Sequence, residues 1–222
     1  MLLMETVKQV NEKEKPSILG MIGSPSVQFV KMRYNPAFAM ALTVVTGLFI
    51  IGMWLTTFTM DQIYEGLDLS GEELDIAILI GKVTAVITGI LSPGLGALFS
   101  SVILLLIAKI VRSGVTFKQL FSMNIHLMVI SAIGLILNTA VGIAIDQSST
   151  IYFTSLAGVL NSDSAVLGSI ELFSIWSAVL LGFGLQKTAD FSKTASWVVV
   201  ILTLLFSVGL AFMGTLFTGL TS

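Results

Sequence analysis

The sequence predicts an all-α membrane protein, a polytopic bundle of five transmembrane helices with the N-terminus inside and the C-terminus outside. Three observations predict it. The 222 residues are 55% apolar and only 11% charged, where a soluble domain carries about a quarter charged residues. Apolar stretches recur at the length of about 20 helical residues that crosses a ~30 Å hydrocarbon core. Finally, ten of the eleven Lys and Arg residues fall in three stretches that alternate with two stretches bearing acids but no basic residue. The basic stretches are the N-terminal region (Lys8, Lys13, Lys15, Lys31, Arg33), a first connector (Lys109, Arg112, Lys118) and a second (Lys187, Lys193). The acidic ones run from Asp61 to Asp75 and from Asp146 to Ser164. Cytoplasmic loops are enriched in Lys and Arg, so the basic stretches are predicted inside. Only Lys82 breaks the partition.

Residues 1–23 are predicted to be a cytoplasmic tail, and residues 24–222 one membrane domain. The first twenty residues alternate charge with apolar side chains too densely for a signal-peptide core, so no cleaved signal is expected and the first span serves for insertion. Ser24-Pro25 suits an N-cap and first helical position. It opens a segment to Tyr34, with Val27, Val30 and Met32 among Lys31 and Arg33, read as a helix on the inner surface; an irregular lead-in is the alternative. Span one, 37–60, is free of charge. Span two, 76–110, is too long, since Ile76 to Ala108 alone would run roughly 50 Å as a helix. Pro93, followed by Gly94 and Gly96, removes a backbone donor at its centre and predicts a kink. A re-entrant half-helix followed by a span from Leu95 to Ile110 is the other reading. Spans three, four and five are placed at 121–145, 165–186 and 197–217. Tyr34, Trp54, Tyr64, Tyr152 and Trp197 fall near predicted boundaries, where amphipathic rings are favoured; Trp176 lies mid-span. No internal repeat is evident.

Chemistry is sparse. Cysteine is absent, which excludes disulfides, thiolate metal sites and a cysteine nucleophile. His126 is the single histidine, with no second His or Cys to join it at a metal, and is expected to hydrogen-bond a neighbouring helix or lipid headgroups. The methionines follow no stripe that marks a metal path. There is no serine-protease motif, no HExxH, no phosphate-binding loop and no basic patch for nucleic acid. The chain is therefore read as non-enzymatic and without cofactor or metal, with the lipid bilayer and a membrane protein as its partners. Its homo-oligomeric state is left open.

Charges inside a membrane are costly unless paired or hydrated, which singles out Lys82 and Glu171. Each is six residues from the outer start of its predicted span, so both lie ~9 Å deep from one face by the helical rise. Asn138, in span three, falls at a similar level. Three readings are open: an ion pair of Lys82 with Glu171 that fixes register, Lys82 snorkelling while Glu171 is hydrated separately, and a proton or ion relay through a Lys82, Asn138 and Glu171 cluster. Small residues at Gly81, Ala85, Gly89, Ser92, Gly96 and Ser100 recur every three or four positions and form one close-packing face. Gly168, Glu171, Ser174, Ala178 and Gly182 share a side of span four, so spans two and four are expected to pack together.

The stretch from Ile170 to Lys193, IELFSIWSAVLLGFGLQKTADFSK, resembles the signature of Yip1-domain membrane proteins through Phe173, Ser174, Ile175, Trp176 and Ser177, then Gly182 and Gly184 ahead of a basic loop. The connector GVTFKQLFS (Gly114 to Ser122) resembles the family's loop between spans two and three, and Arg33-Tyr34-Asn35-Pro36 its entry to span one. The resemblance covers roughly residues 20 to 217, and is to the bacterial type. It implies a multi-pass protein of the plasma membrane, with five spans and no family-wide catalytic residue. Some bacterial members act as accessory partners of ABC exporters of the MacB kind, whereas eukaryotic relatives serve vesicle trafficking with Rab-type GTPases and carry longer N-terminal regions. The expected function is accordingly a membrane accessory protein that assists or regulates a partner, with such an exporter as one candidate. The alternatives are a small-solute or ion transporter or channel using Lys82, Asn138 and Glu171, and a trafficking factor that binds a small GTPase.

Overall fold

A computed structural model describes residues 14–59, 64, 69, 71–145 and 152–221, with side chains to 217. Lys8, Lys13, most of the Asp61 to Asp75 stretch and Asp146 lie outside the described residues. The elements are α1 (Ile18–Gly23), α2 (Pro25–Tyr34), α3 (Ala39–Thr56, followed by a 3-10 turn at Thr57–Thr59), α4 (Glu72–Ile110), α5 (Phe117–Ala144), α6 (Leu156–Leu160), α7 (Ala165–Gly168), α8 (Leu172–Lys187) and α9 (Lys193–Thr221). No strand occurs among the described residues; a single antiparallel bridge joins Ser155 to Glu171. Among the described residues, four stretches are long and apolar enough to cross a membrane: Ala39–Thr59, Glu72–Ile110, Phe117–Ala144 and Lys193–Phe217.

The predicted fourth span differs. Instead of one helix over 165–186, the chain forms the four-residue α7, a break at 169–171, and then α8 of 16 residues, which is about 24 Å long by the helical rise. The predicted second span, 76–110, lies within one continuous helix of 39 residues, not a half-helix followed by a separate span. Pro93 lies inside it, fully buried, and having no N–H it cannot donate to the carbonyl one turn back.

The chain divides into two compact units. The first comprises Met1–Val45, Pro93–Ile130 and Trp176–Thr203. Here α1 is capped by the Ser17 hydroxyl, which accepts from the Gly20 N–H. Pro25 opens α2 as predicted, but Ser24 makes no side-chain cap bond. The buried face of α2 is Gln28, Phe29 and Met32, with Val27 left exposed, so this helix is partly embedded in protein. Helix α5 starts at Phe117 because Thr116 and Gln119 form a reciprocal cap: the Gln119 N–H reaches the Thr116 hydroxyl at 3.4 Å, and the Thr116 N–H donates to Gln119 Oε1 at 2.8 Å. Such a box satisfies two donors that a helix start would otherwise leave free. Ala41, Ala97 and Ile125 centre the core, with Leu42, Phe121 and Met128 against them.

The second unit comprises Thr46–Ser92, Ser131–Ile175 and Leu204–Ser222. Its helices approach through glycine. A Cβ built on Gly89 would stand 3.0 Å from the Ile50 Cα and 3.1 Å from the Phe49 carbonyl oxygen. One built on Gly52 would meet Leu135 at 2.6 Å, and one on Gly134 would meet Phe173 at 2.8 Å. The close neighbour of α4 at Gly89 is thus the backbone of α3.

Candidate functional site

Two of the predicted polar residues, Asn138 and Glu171, converge in the second unit, around a carboxylate whose place the sequence pattern misassigned. Glu171 precedes α8 rather than lying inside a span. It is 5% exposed and acts as the helix N-cap. Its Oε1 accepts the Phe173 N–H at 2.9 Å, and its Oε2 accepts the Ser174 N–H at 2.7 Å and the Ser174 hydroxyl at 3.0 Å. The first N–H groups of a helix have no intrahelical acceptor, and an anion there is favoured by the helix dipole. The bridge to Ser155 brings the preceding residue, Thr154, alongside.

Thr154 links Glu171 to Asn138. Its hydroxyl lies 2.7 Å from Glu171 Oε1 and 2.9 Å from Asn138 Oδ1, and its N–H donates to the same Asn138 oxygen at 3.1 Å. One hydroxyl proton lies between two acceptors and serves one at a time. Asn138 is 4% exposed, and its Nδ2 donates to the Gly134 carbonyl at 2.9 Å. Burial, and after it the charge of Glu171, push the Tyr152 phenol above its ordinary value of 10.0. Sequence reasoning passed over Thr154 because it sits in a connector, where one threonine carries no pattern.

The Lys82 to Glu171 ion pair is not formed. Lys82 is exposed on α4, while both carboxylate oxygens of Glu171 are occupied by helix N–H groups and hydroxyls. The expectation failed because it set Glu171 six residues along a helix that in fact begins at Leu172.

The expected packing of spans two and four is likewise replaced at the glycines. Gly89 faces α3, and a Cβ on Gly96 would meet Met128 of α5 at 2.7 Å. Ala85 and Gly89 are buried, Gly81, Ser92 and Gly96 half-buried, and Ser100 exposed. His126, fully buried, pairs through Nδ1 with the Ser122 carbonyl at 2.7 Å, one turn back on its own helix, and also bonds the backbone of Pro16, in the segment that leads into α1. No group of three or more His, Cys, Asp and Glu residues able to hold a metal occurs among the described residues.

The motif residues of α8 separate by unit. In the second, Phe173 packs on Gly134 and Ser174 bonds Glu171; Ile175 is exposed. In the first, Trp176 is half-buried and the buried Ser177 hydroxyl has no hydrogen-bond partner among the described residues. A Cβ on Gly182 would approach Val200 at 3.1 Å, and one on Gly184 would stand 2.8 Å from Met123 Sδ and 3.0 Å from Phe29.

The first unit also ties together the segments next to its basic residues. Arg33 Nη1 donates to Asp190 Oδ1 at 2.9 Å, Gln119 Nε2 donates to the Arg33 carbonyl at 2.6 Å, and the Thr188 hydroxyl donates to the Phe29 carbonyl at 2.9 Å. The Ser113 hydroxyl donates to the Ala189 carbonyl. Two of the three segments that carry the family resemblance, Arg33 to Pro36 and the GVTFKQLFS connector, therefore meet.

The Yip1 domain model matches residues 19–215. A relative described as "Membrane protein YknW", from Bacillus subtilis (strain 168), is 37% identical over 216 residues, spanning 93% of this chain and 91% of its own length. No solved structure matches. The chain is a multi-pass membrane protein, and it belongs to the Yip1 domain family.

Proposed function

We propose that this protein is a non-enzymatic accessory subunit that assists or regulates another protein of the same membrane, with an ABC exporter of the MacB kind as the partner. One observation carries the reading. Helix α4 has 39 residues, about 58 Å by the helical rise against a core of ~30 Å, and Lys82 is exposed among the exposed Leu79, Ile80, Val83 and Ile87. A cation on an apolar helix face is costly against lipid and is relieved by a carboxylate or water-lined groove on a partner helix. Nothing among the described residues of this chain pairs with it.

The orientation is proposed with the N-terminus inside. Lys31, Arg33, Lys109, Arg112, Lys118, Lys187 and Lys193 all belong to the first unit, consistent with a single cytoplasmic face. Helix α8, flanked by α7, supplies the fifth crossing.

Purification in mild detergent tests the partnership. The wild-type chain is expected to retain an exporter permease or its adaptor, Lys82→Met to weaken that retention, and Lys82→Glu to abolish it. Recovery of all three as the isolated chain would sink the proposal. A bulky residue at Gly89 is unsuitable for this purpose, since it would collide with the chain's own α3.

A further inference from the structure

The first unit contains a cavity of about 610 Å³, within the ~300–1,000 Å³ typical of small-molecule sites. It is bounded by the segment that leads into α1, by the turn and first residues of α3, and by the start of α5. Leu19, Phe38, Met40 and Val44 supply apolar walls. Lys15 and Lys118 supply the charge, and no carboxylate lines it among the described residues. Both lysines are exposed, and neither is in an ion pair among the described residues, whereas Lys31 and Arg33 are taken by Glu14 and Asp190.

We infer that this cavity holds one anionic phospholipid, its phosphate between Lys15 and Lys118 and an acyl chain along Phe38, Met40 and Val44. Three features point to that occupant. Apolar walls with an unneutralised pair of lysines match a molecule that is greasy at one end and anionic at the other, and basic pockets beside membrane helices are suited to such headgroups. The cavity also lies at the first turns of α3 and α5, two helices long and apolar enough to cross a membrane. That is the level at which lipid phosphates sit. Finally, Leu19 and Met40 are about four-fifths exposed at 80% and 81% while lining the cavity, so its rim is open to lipid rather than closed by protein. The N–H groups of the first turn of α3 lie at the same place and favour an anion further.

Native mass spectrometry of the detergent-solubilised full chain tests this, titrating dioctanoyl phosphatidylglycerol, dioctanoyl phosphatidylcholine and inorganic phosphate separately. One phosphatidylglycerol is expected to bind, with phosphatidylcholine far weaker and phosphate not retained. Lys15→Gln with Lys118→Gln should weaken phosphatidylglycerol roughly thirtyfold. Val44→Trp should fill the cavity and block both lipids. Lys187→Gln with Lys193→Gln, which removes the same charge from exposed sites outside the cavity, should leave binding unchanged. Equal weakening by the two double variants would overturn the proposal, because it would mean diffuse charge rather than a site. So would equal binding of the two lipids, or phosphate held as tightly as phosphatidylglycerol. Should Val44→Trp fail to fold, the exposed lysine pair decides alone.

Discussion

Glu171 Oε2 accepts the backbone N–H of Ser174 at 2.7 Å, so the buried carboxylate fastens the start of its own helix instead of answering a lysine on another. Glu171→Gln places an amide where two helix N–H groups need acceptors, and one of them is left unsatisfied. The expected cost is about 1–3 kcal/mol. Lys82→Met, changing an exposed side chain, should move the isolated chain by less than about 0.5 kcal/mol. Thermal unfolding in detergent measures both. Equal losses that fail to add in the double variant would restore the ion pair.

Thr154 is the joint between Asn138 and Glu171. Thr154→Val keeps the shape and the backbone bond to Asn138 but removes the hydroxyl, at an expected cost of about 1–2 kcal/mol. Because the two residues share one network, Thr154→Val and Glu171→Gln should be non-additive by at least about 0.5 kcal/mol. Strict additivity in unfolding measurements would show that the network does not act as a unit.

Gly89 and Gly94, five residues apart in α4, should respond in opposite directions. A Cβ at Gly89 meets α3 backbone at 3.0 Å, and backbone cannot swing aside; Gly89→Ala is expected to destabilise by about 1–3 kcal/mol. A Cβ at Gly94 meets nothing within 4 Å, so Gly94→Ala should stabilise the helix by about 0.5–1 kcal/mol. Denaturation midpoints of the two variants, read side by side, check the sign of each.

The Arg33 to Asp190 contact gives a pH dependence. Hydrogen bonding to the Arg33 guanidinium holds the Asp190 carboxyl below its ordinary 3.8, and Arg33 in turn is raised above its ordinary value, first by that same bond. A depressed carboxyl contributes stability above its unfolded value, and loses it as pH falls through the folded one. Both side chains are substantially exposed, at 37% and 70%, so the contribution is small, about 0.2–1 kcal/mol. The unfolding midpoint of wild type relative to Asp190→Asn should be higher at pH 7 and converge with it as pH falls through the lowered folded value of the carboxyl. A difference that persists in acid would assign the effect to packing.

The apolar runs were legible because hydrophobic length is a local property: α3, lacking any charge, and α9 follow the predicted spans closely. The helix starts were not. Thr116 and Gln119 make α5 begin four residues before the predicted 121, inside a stretch whose Lys118 and Gln119 read as loop. Leu167 through Ile170 read as continuous with the apolar run after Leu172, yet the chain breaks there, where Leu172 donates its N–H to the Thr154 carbonyl at 3.2 Å. That bond joins residues whose proximity no local periodicity encodes. Spacing likewise names a face of small residues without naming its neighbour, and it had no means of pairing Arg33 with a residue 157 positions away.

The bridge between Ser155 and Glu171 closes the connector 156–170 at its base, while at its far turn Asn161 adopts a left-handed backbone and Asn161 and Asp163 are exposed. An epitope inserted between them would lengthen a segment already tied off, at a cost that grows by only about 0.6 kcal/mol per doubling of length, and would put no tension on α5 or α8. Antibody staining of intact cells, compared with permeabilised ones, would then report directly which side of the membrane this connector occupies.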